Sequence, residues 1–301
     1  MDAAECTVCR SAGFSPAHQV GQFTIVRCTS CGHLYVWPRP PMDEVQAIYR
    51  GSYFANPAFG TTDSGAYFGY RDQAEDRPHV ERRMDEILAR AERWVTPGRL
   101  LDVGCGLGFM VGAAARRAWD ASGLDLNPDA VAWARTHVSK QIDVGALDTF
   151  DAPESSFDCI TLLDLIEHVA DPRAELGPVA RALRPGGLLV IVTPDAGSLV
   201  SRAFGSHWLE MKRAPEHLHF FSRHGLTRVL AAAGFDVVDV HSIGKITSIR
   251  TLLSDLKFYS RPFFNGVERV LDRVHLADRV VDIDPRTKFC LYARRRTDRT
   301  D

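Results

Sequence analysis

The fold is decided by the stretch Leu100-Leu101-Asp102-Val103-Gly104-Cys105-Gly106-Leu107-Gly108, which is followed after a short interval by Gly123-Leu124-Asp125-Leu126-Asn127-Pro128. The apolar run into Val103 predicts a buried parallel strand, and the glycines after it allow a tight turn that leaves room for a ligand. A helix predicted to begin near Phe109 would point its free N–H groups at that turn. Asp125 ends the next apolar strand, where a carboxylate can accept hydrogen bonds from both hydroxyls of a ribose. Strand, turn, helix, strand and acid together predict a mononucleotide-binding unit.

The glycine spacing distinguishes between two classes of nucleotide site. A dinucleotide fingerprint requires its third glycine where this chain has Phe109. The observed spacing, Gly104-x-Gly106-x-Gly108 with Asp102 ahead of it, resembles motif I of the class I S-adenosylmethionine-dependent methyltransferases. In that family the first acid and the glycine turn hold the amino-acid end of the cofactor, and the second-strand acid holds its ribose. The resemblance implies a cofactor site formed by Asp102, Gly104, Cys105, Gly106, Gly108, Asp125, Leu126, Ala146, Leu147 and Leu163.

Further motifs of the same family follow in order. Residues 156–163 resemble its fourth strand, and residues 183–191 resemble its helix end, proline–glycine turn and fifth strand. The resemblance covers roughly residues 80–240 and a last strand near 287–295. It implies an α/β fold, a Rossmann-like, seven-stranded, doubly wound sheet whose last strand is reversed. Where the family cradles adenine, this chain has Ala146 in place of the usual acid. Adenine contacts are therefore expected from the backbone, unless Asp148 substitutes for that acid.

Composition limits the classes of function. The 301 residues are 45% hydrophobic and 25% charged, with 36 Lys plus Arg against 38 Asp plus Glu. This near-neutral balance lacks the basic excess of a general nucleic-acid binder, and no Asn/Asp-Pro-Pro-Tyr type motif follows the fourth strand. No signal peptide and no apolar run of membrane-spanning length are visible. We therefore expect a cytoplasmic protein that acts on a small molecule, with no nucleic-acid partner and no transmembrane segment.

Four of the seven cysteines lie at the front of the chain, as Cys6-x-x-Cys9 and Cys28-x-x-Cys31. Two such pairs at this separation are typical of a four-thiolate zinc ribbon, in which zinc supplies the folding free energy that so short a segment lacks. Disulfides are the competing interpretation, although a cytoplasmic protein keeps its thiols reduced. Four thiolates would make the zinc structural, and we expect the ribbon to dock on the catalytic domain or to shape its entrance.

The segment after the fourth strand offers chemistry at the edge of the sheet where such folds bind ligands. Asp164, Glu167 and His168 lie within one helical turn of each other in sequence. They resemble the acid-x-x-Glu-His stretch of the ubiquinone-type O-methyltransferases, in which these side chains can hold a divalent ion that orients the acceptor hydroxyls. The resemblance implies His168 as a base or metal ligand and magnesium as the candidate ion. The alternative is a hydrogen-bonded structural histidine.

A second group of histidines follows the fifth strand. The run Pro215-Glu216-His217-Leu218-His219 looks like a shared segment of the same methyltransferases, with its histidines near the acceptor. His217 and His219 are therefore further candidates for the general base. In the alternative interpretation, Ser222 caps a helix that begins near Arg223, and both histidines are satisfied in a loop.

The region between the sixth and last strands is longer than the hairpin that normally joins them in this fold. Residues 249–256 and 267–274 show apolar residues at helical spacing, which predicts two amphipathic helices. They would form a lid over the acceptor pocket or a surface for a homodimer. The many basic side chains here fit either a solvated face or a lid for a phosphorylated, nucleotide-linked or membrane-surface acceptor.

The sequence thus predicts a zinc ribbon over residues 1–40, a helical connector and cofactor lid over 41–95, and a methyltransferase domain over 96–301 with a helical insertion at about 245–285. Tyr67, Phe68 and Tyr70 of the connector would cover the cofactor or serve as ordinary packing. The expected reaction is O-methylation of a quinone precursor, sugar or secondary metabolite. C-methylation of a nucleotide sugar and a non-catalytic cofactor-binding scaffold are the alternatives.

Overall fold

The computed structural model describes residues 5–50, 52–54, 73–74, 76–257 and 259–297, so Tyr67, Phe68 and Tyr70 lie outside the described residues. Its strands are β1 (Phe14–Val20), β2 (Phe23–Cys28), β3 (Leu34–Val36), β4 (Arg99–Val103), β5 (Asp120–Asp125), β6 (Ile142–Val144), β7 (Phe157–Leu163), β8 (Leu183–Pro194), β9 (His219–Phe220), β10 (Phe235–Ser242), β11 (Lys245–Ser248), β12 (Val280–Ile283) and β13 (Lys288–Arg295). Its helices are α1 (Met42–Ile48), α2 (Arg77–Ala91), α3 (Phe109–Arg116), α4 (Pro128–His137), α5 (Pro172–Ala182), α6 (Leu199–Phe204), α7 (Arg223–Ala232), α8 (Ile249–Leu256) and α9 (Arg261–Arg273).

The large sheet has seven strands in the order β10-β13-β8-β7-β4-β5-β6. The pairs from β8 through β6 are parallel, whereas β13 runs antiparallel to both of its neighbours. The predicted α/β fold with a reversed last strand is therefore confirmed. This order brings the carboxyl ends of β4, β5 and β7 to the same edge of the sheet.

The centre of the sheet explains why the sequence around residue 100 is so apolar. Leu101 and Val103 face a core that includes Leu176 of α5 and Leu226 of α7, whereas Leu100 faces a second core against α2 and α3. A strand covered on both faces needs apolar side chains in both directions. This double cover fixes β4 and the turn that follows it.

A smaller sheet at the front of the chain has the order β1-β2-β3-β9. Its last strand comes from the middle of the chain, and the N–H of Val36 donates to the carbonyl of Leu218 at 2.9 Å. The front segment is therefore joined to the rest of the molecule by backbone pairing as well as by packing. The front segment thus docks on the rest of the molecule, as expected, and it does so through strand pairing.

The insertion contains the hairpin β11–β12 and the helices α8 and α9, so the two helices expected from the apolar spacing are present. It lies against α2, where Arg83 pairs with Asp282 at 2.5 Å. None of its described residues lines the cavity at the edge of the large sheet, so the structure does not place it as a lid there. Among the described residues, no helix is both long and apolar enough to cross a membrane.

Candidate active site

A cavity lies at the carboxyl edge of the large sheet, beneath α1 and the short turn Ser52–Phe54. One side, which we call the glycine wall, is formed by Asp102, Gly104, Gly106 and Asp125. The facing side, which we call the histidine wall, is formed by Tyr49, Tyr53, Leu165 and His168. The remaining residues predicted for the cofactor and found in the lining are Cys105, Leu126, Ala146, Leu147 and Leu163.

Gly108 is the one predicted cofactor residue that the cavity lining does not include. It begins α3 with a φ of 78°, in the left-handed region that favours glycine. A Cβ added there would lie 2.6 Å from Cδ1 of Ile142. Gly108 therefore allows α3 to pack closely against β6, and it affects the cavity by fixing the position of the turn.

Gly106 lies directly against the connector. Its φ is +52°, and an added Cβ would lie 2.8 Å from Cε1 of Phe54. The Gly106 N–H donates to Oδ2 of Asp125 at 2.7 Å. The glycine turn is thus hydrogen-bonded to the carboxylate of Asp125 and lies against the ring of Phe54.

Asp125 organises the glycine wall. Its Oδ1 accepts a hydrogen bond from the backbone N–H of Asn127 at 2.8 Å, while its Oδ2 holds Gly106. Burial raises the pKa of this carboxyl, and the two backbone donors act in the opposite direction. Because each carboxylate oxygen has more than one lone pair, acceptor capacity remains for the hydroxyls of a ribose.

Asp102 is an acid enclosed within the cavity wall. Its side chain is 2% exposed, and its Oδ1 accepts a hydrogen bond from Oγ1 of Thr161 at 2.6 Å. Burial raises the pKa of Asp102 to about 7, the hydroxyl of Thr161 lowers it, and the charge of Asp125 adds to the rise. No cationic side chain of the described residues pairs with it. A ligand cation in the cavity would supply the missing partner, which is what the ammonium end of S-adenosylmethionine offers.

His168 is oriented by contacts at one ring nitrogen. Its Nδ1 lies 2.8 Å from the carbonyl oxygen of Glu216 and 2.8 Å from Oη of Tyr49. Because a carbonyl oxygen only accepts, the contact assigns the proton to Nδ1 and leaves the lone pair on Nε2. Burial lowers the pKa of His168, with Glu216 opposing that shift. A neutral ring with a free Nε2 at a cavity wall can accept a proton.

The group of potential metal ligands around His168 differs from the predicted set of Asp164, Glu167 and His168. Asp164 pairs with Lys288 at 2.9 Å, and the donor atoms that lie within 4.8 Å of one another belong to Glu167, His168 and His217. Oε2 of Glu167 accepts from Oγ1 of Thr193 at 2.9 Å, and burial raises the pKa of Glu167 to about 8, with Asp164 as the next cause. Two imidazoles and one protonated carboxyl do not fit magnesium, which prefers oxygen ligands.

The other two histidines have different surroundings. The ring of His217 lies 4.8 Å from that of His168, and burial lowers the pKa of His217 well below its usual range. His219 lies outside the cavity lining: its Nδ1 is 3.4 Å from Oγ1 of Thr7 and 3.3 Å from Nε2 of His33. Burial lowers the pKa of His219 to about 3. The structure thus places His219 in the packing between the front segment and the large domain.

The four front cysteines form one cluster whose sulfur atoms all lie within 4.8 Å of one another. The Sγ atoms of Cys6 and Cys31 are 3.6 Å apart, as are those of Cys9 and Cys28. These distances exceed the roughly 2.05 Å of a disulfide bond, and all four cysteines are free. They match the edge of about 3.8 Å that follows from tetrahedral zinc with sulfur at about 2.3 Å. The cluster can therefore hold a metal ion.

Several residues of the site were missed by the sequence analysis. Tyr53 donates to the buried carboxylate of Glu216, which also pairs with Arg213 at 2.5 Å. Asn127 caps α4 and donates through Nδ2 to the carbonyl of Tyr49 at 2.6 Å. The Asn-Pro pair after Asp125 signalled the cap, but no sequence signal marked the contact with Tyr49. Ser222 caps α7 as expected, accepting from the N–H of Gly225 at 3.1 Å.

Comparisons with known proteins agree with this geometry. The family described as "Methyltransferase domain" matches residues 75–240, which is more than half of the chain. The ubiquinone biosynthesis O-methyltransferase of Idiomarina loihiensis is 31% identical over 157 residues, covering 48% of this chain and 64% of that protein. The protein of the same name from Xanthomonas oryzae pv. oryzae is 38% identical over 117 residues, covering 37% of this chain and 48% of its own length. The chain therefore spans less than two thirds of these relatives.

Solved structures agree on the fold alone. A Bacillus halodurans C-125 protein named as a candidate methyltransferase superposes with a TM-score of 0.53 at 18% identity, covering 71% of this chain and 99% of that chain. The YcgJ protein of Bacillus subtilis gives a TM-score of 0.52 at 16% identity, covering 72% and 99%. At such low identity these likenesses concern the architecture of the sheet and its helices.

Proposed function

This chain belongs to the methyltransferase domain family, and from that premise we propose that it transfers the methyl group of S-adenosylmethionine to a hydroxyl oxygen of a small molecule. The observation that supports this most is the pair of walls around one cavity. The glycine wall contains a buried acid, Asp102, that has no cationic partner among the residues that the structure describes, and the histidine wall contains a neutral histidine, His168. The O-methyltransferase names of the relatives support oxygen as the acceptor atom.

The glycine wall would hold the cofactor, whose sulfonium supplies an electrophilic methyl group when bound. Asp102 would face the cationic amino-acid end, and the carboxylate of Asp125 would accept hydrogen bonds from the ribose hydroxyls. Ala146 and Leu147 lie where the adenine is expected, with Leu126 and Leu163 completing the lining. Binding and the exclusion of water are the main tasks of these residues.

The histidine wall would hold the acceptor. As the new oxygen–carbon bond forms and the sulfur–carbon bond breaks, the acceptor hydroxyl loses its proton to Nε2 of His168. The resulting imidazolium keeps its Nδ1–H on the carbonyl of Glu216, and the nearby Glu216 carboxylate favours the charged ring. Tyr49 and Tyr53 line this side with aromatic rings, and the ring of Phe54 lies between it and Gly106 of the glycine wall. Such rings suit a phenolic acceptor of the kind that a quinone precursor provides.

The cysteine cluster of Cys6, Cys9, Cys28 and Cys31 would hold a structural zinc ion. The spacing of the sulfur atoms supports this assignment, and four thiolates leave no open position for a substrate. Metal analysis of the purified protein, with one zinc expected per chain, is the direct check.

The test of the base is the variant His168→Ala. We expect its kcat with a phenolic acceptor to fall by about 10² to 10⁴, because a positioned base is lost, while cofactor binding stays within about threefold. Added imidazole should restore part of the rate. The matched control is His224→Ala, an exposed histidine away from His168. A His168→Ala enzyme that turns over at the parent rate would remove this residue from the mechanism.

A further inference from the structure

Helix α9 is amphipathic, but its apolar side chains face the solvent instead of the core. At 3.6 residues per turn, Phe263, Val267, Val270 and Val274 fall within an arc of about 60°. Phe263 is 62% exposed, Val270 56% and Val274 54%, and no described residue of the helix is buried. A surface helix normally turns such a stripe toward the core. Here the stripe faces outward.

The polar face of α9 is the one that contacts the protein. Glu268 pairs with Lys257 at 2.5 Å and with Arg250 at 3.4 Å, and Asp272 pairs with Arg250 at 2.7 Å. These acids lie about 100° or more around the helix from the apolar stripe. The orientation of α9 is therefore set by ion pairs with α8 and its end, and this arrangement holds the apolar side chains away from the body.

The exposed apolar side chains are concentrated in this part of the molecule. Most large apolar side chains that are exposed in the described chain belong to residues 259–280: Tyr259, Phe263, Val270, Val274, Leu276 and Val280. Tyr259, just before α9, also contacts the exposed ring of Phe204 at a centroid distance of 5.7 Å. We call these six side chains and the adjoining Phe204 the patch, and such a concentration of exposed apolar side chains is typical of a surface that binds another molecule.

The charges around the patch indicate what it binds. Asp272 and Asp278 both form ion pairs with Arg250, and Asp282 forms one with Arg83. In contrast, Arg269, Arg273 and Arg279 make no ion pair within the described chain, and all three are exposed. On the side of α9 opposite Glu268, the apolar stripe is therefore flanked by Arg273, about 60° around the helix from Val270, and by Arg269, about 100° from it. Neither arginine has an acidic partner among the described residues.

We propose that α9 lies on an anionic lipid surface, with its apolar stripe in the boundary between headgroups and acyl chains and Arg269, Arg273 and Arg279 on the lipid phosphates. This is the pattern of an interfacial amphipathic helix. A second copy of the chain fits less well, because a two-fold interface sets the same patch against itself. Arginines would then face arginines with the nearby acids already paired.

The experiment is flotation of the zinc-loaded full chain with phosphatidylglycerol/phosphatidylcholine vesicles and with pure phosphatidylcholine vesicles. We expect binding to the anionic vesicles only. The double variant Val270→Glu/Val274→Glu should lose binding, and Arg269→Gln/Arg273→Gln should weaken it by about 5-fold for each arginine removed. The matched control is Val144→Glu, an equally exposed valine on β6, which should bind as the parent does.

Sedimentation velocity and circular dichroism of each variant accompany the flotation. Failure of the parent protein to float, equal binding to neutral vesicles, or unchanged binding of both double variants would each overturn the proposal. A parent dimer that Val270→Glu/Val274→Glu dissociates, without vesicle binding, would assign the patch to a second copy and overturn it as well. Because every substituted side chain is exposed, folding should survive, and the arginine variant tests the surface independently of the valines.

Discussion

The glycine wall and the histidine wall face each other across one cavity, yet the chain builds them in different ways. The glycine wall comes from the ends of two neighbouring strands, β4 with Asp102 and β5 with Asp125, and the N–H of Gly106 in the turn after β4 donates to Asp125. The histidine wall depends on hydrogen bonds that His168 makes with Tyr49 and with the carbonyl of Glu216, and these three residues come from distant segments of the chain. The glycine wall is therefore formed by residues from one short stretch of the chain, whereas the histidine wall depends on contacts between segments that are far apart in sequence.

The front segment pairs with the part of the chain that lies next to the histidine wall. Strand β3 follows Cys31 directly and pairs with the chain at Leu218 and β9. The N–H groups of Leu218 and His219 both donate to the carbonyl of Glu167, at 2.9 and 3.0 Å. The residues next to Glu167 and Leu218 are His168 and His217. The difference between the walls therefore predicts that each can be damaged without the other.

The largest effect on the glycine wall should come from Asp125→Ala. The change removes the acceptor of two backbone N–H groups and the expected partner of the ribose, so affinity for S-adenosylmethionine should fall by about 100-fold or more. Isothermal calorimetry measures this directly. Asp120→Ala, at the exposed start of the same strand, is the control and should bind like the parent. Unchanged affinity in Asp125→Ala would refute the assignment of this acid.

An intermediate effect, confined to the histidine wall, should come from Cys31→Ser. Loss of a thiolate should release the metal and loosen β3, so we expect methyl transfer to fall at least about tenfold while affinity for the demethylated cofactor changes little. Amide exchange at Val36, Leu218 and His219 should speed up. Ser30→Ala, in the same turn, is the control. Equal loss of cofactor binding would show that the two walls are not separable.

The smallest effect concerns pH. Because burial places the pKa of Asp102 at about 7, the carboxyl is mostly protonated at pH 6 and mostly ionised at pH 8. The ionised form attracts the cationic cofactor, so affinity should rise with pH over this window, by up to about tenfold per unit below the pKa. Calorimetry at several pH values checks the slope. Asp102→Asn should bind more weakly and lose the slope, and a parent protein with flat affinity would contradict this role.

The same contrast explains what the sequence could predict. Val103, the three glycines and Asp125 are signals within one strand–turn–helix–strand unit, and the family resemblance that they carry implied the seven-stranded sheet with its reversed last strand. The pairing of Asp164 with Lys288 joins residues 124 positions apart, and sequence spacing gives no register between such segments. The family resemblance groups Asp164 with Glu167 and His168, whereas the structure brings His217, and not Asp164, into one cluster with Glu167 and His168.

His219 illustrates the same limit from the other side. The nearby His217 lies against His168, whereas His219 packs against His33 of the front segment, with 5.5 Å between the ring centroids. Two histidines that look equivalent in sequence are separated by the pairing of β9 with β3. A two-residue strand of this kind has no periodic signal of its own.

Calorimetric titration of the metal-quantified protein with S-adenosylmethionine tests the cofactor site itself. We expect one binding site per chain with micromolar affinity, and the same affinity in the Cys31→Ser protein. Absence of binding to the intact protein would contradict the assignment of the glycine wall and, with it, the proposed methyl transfer.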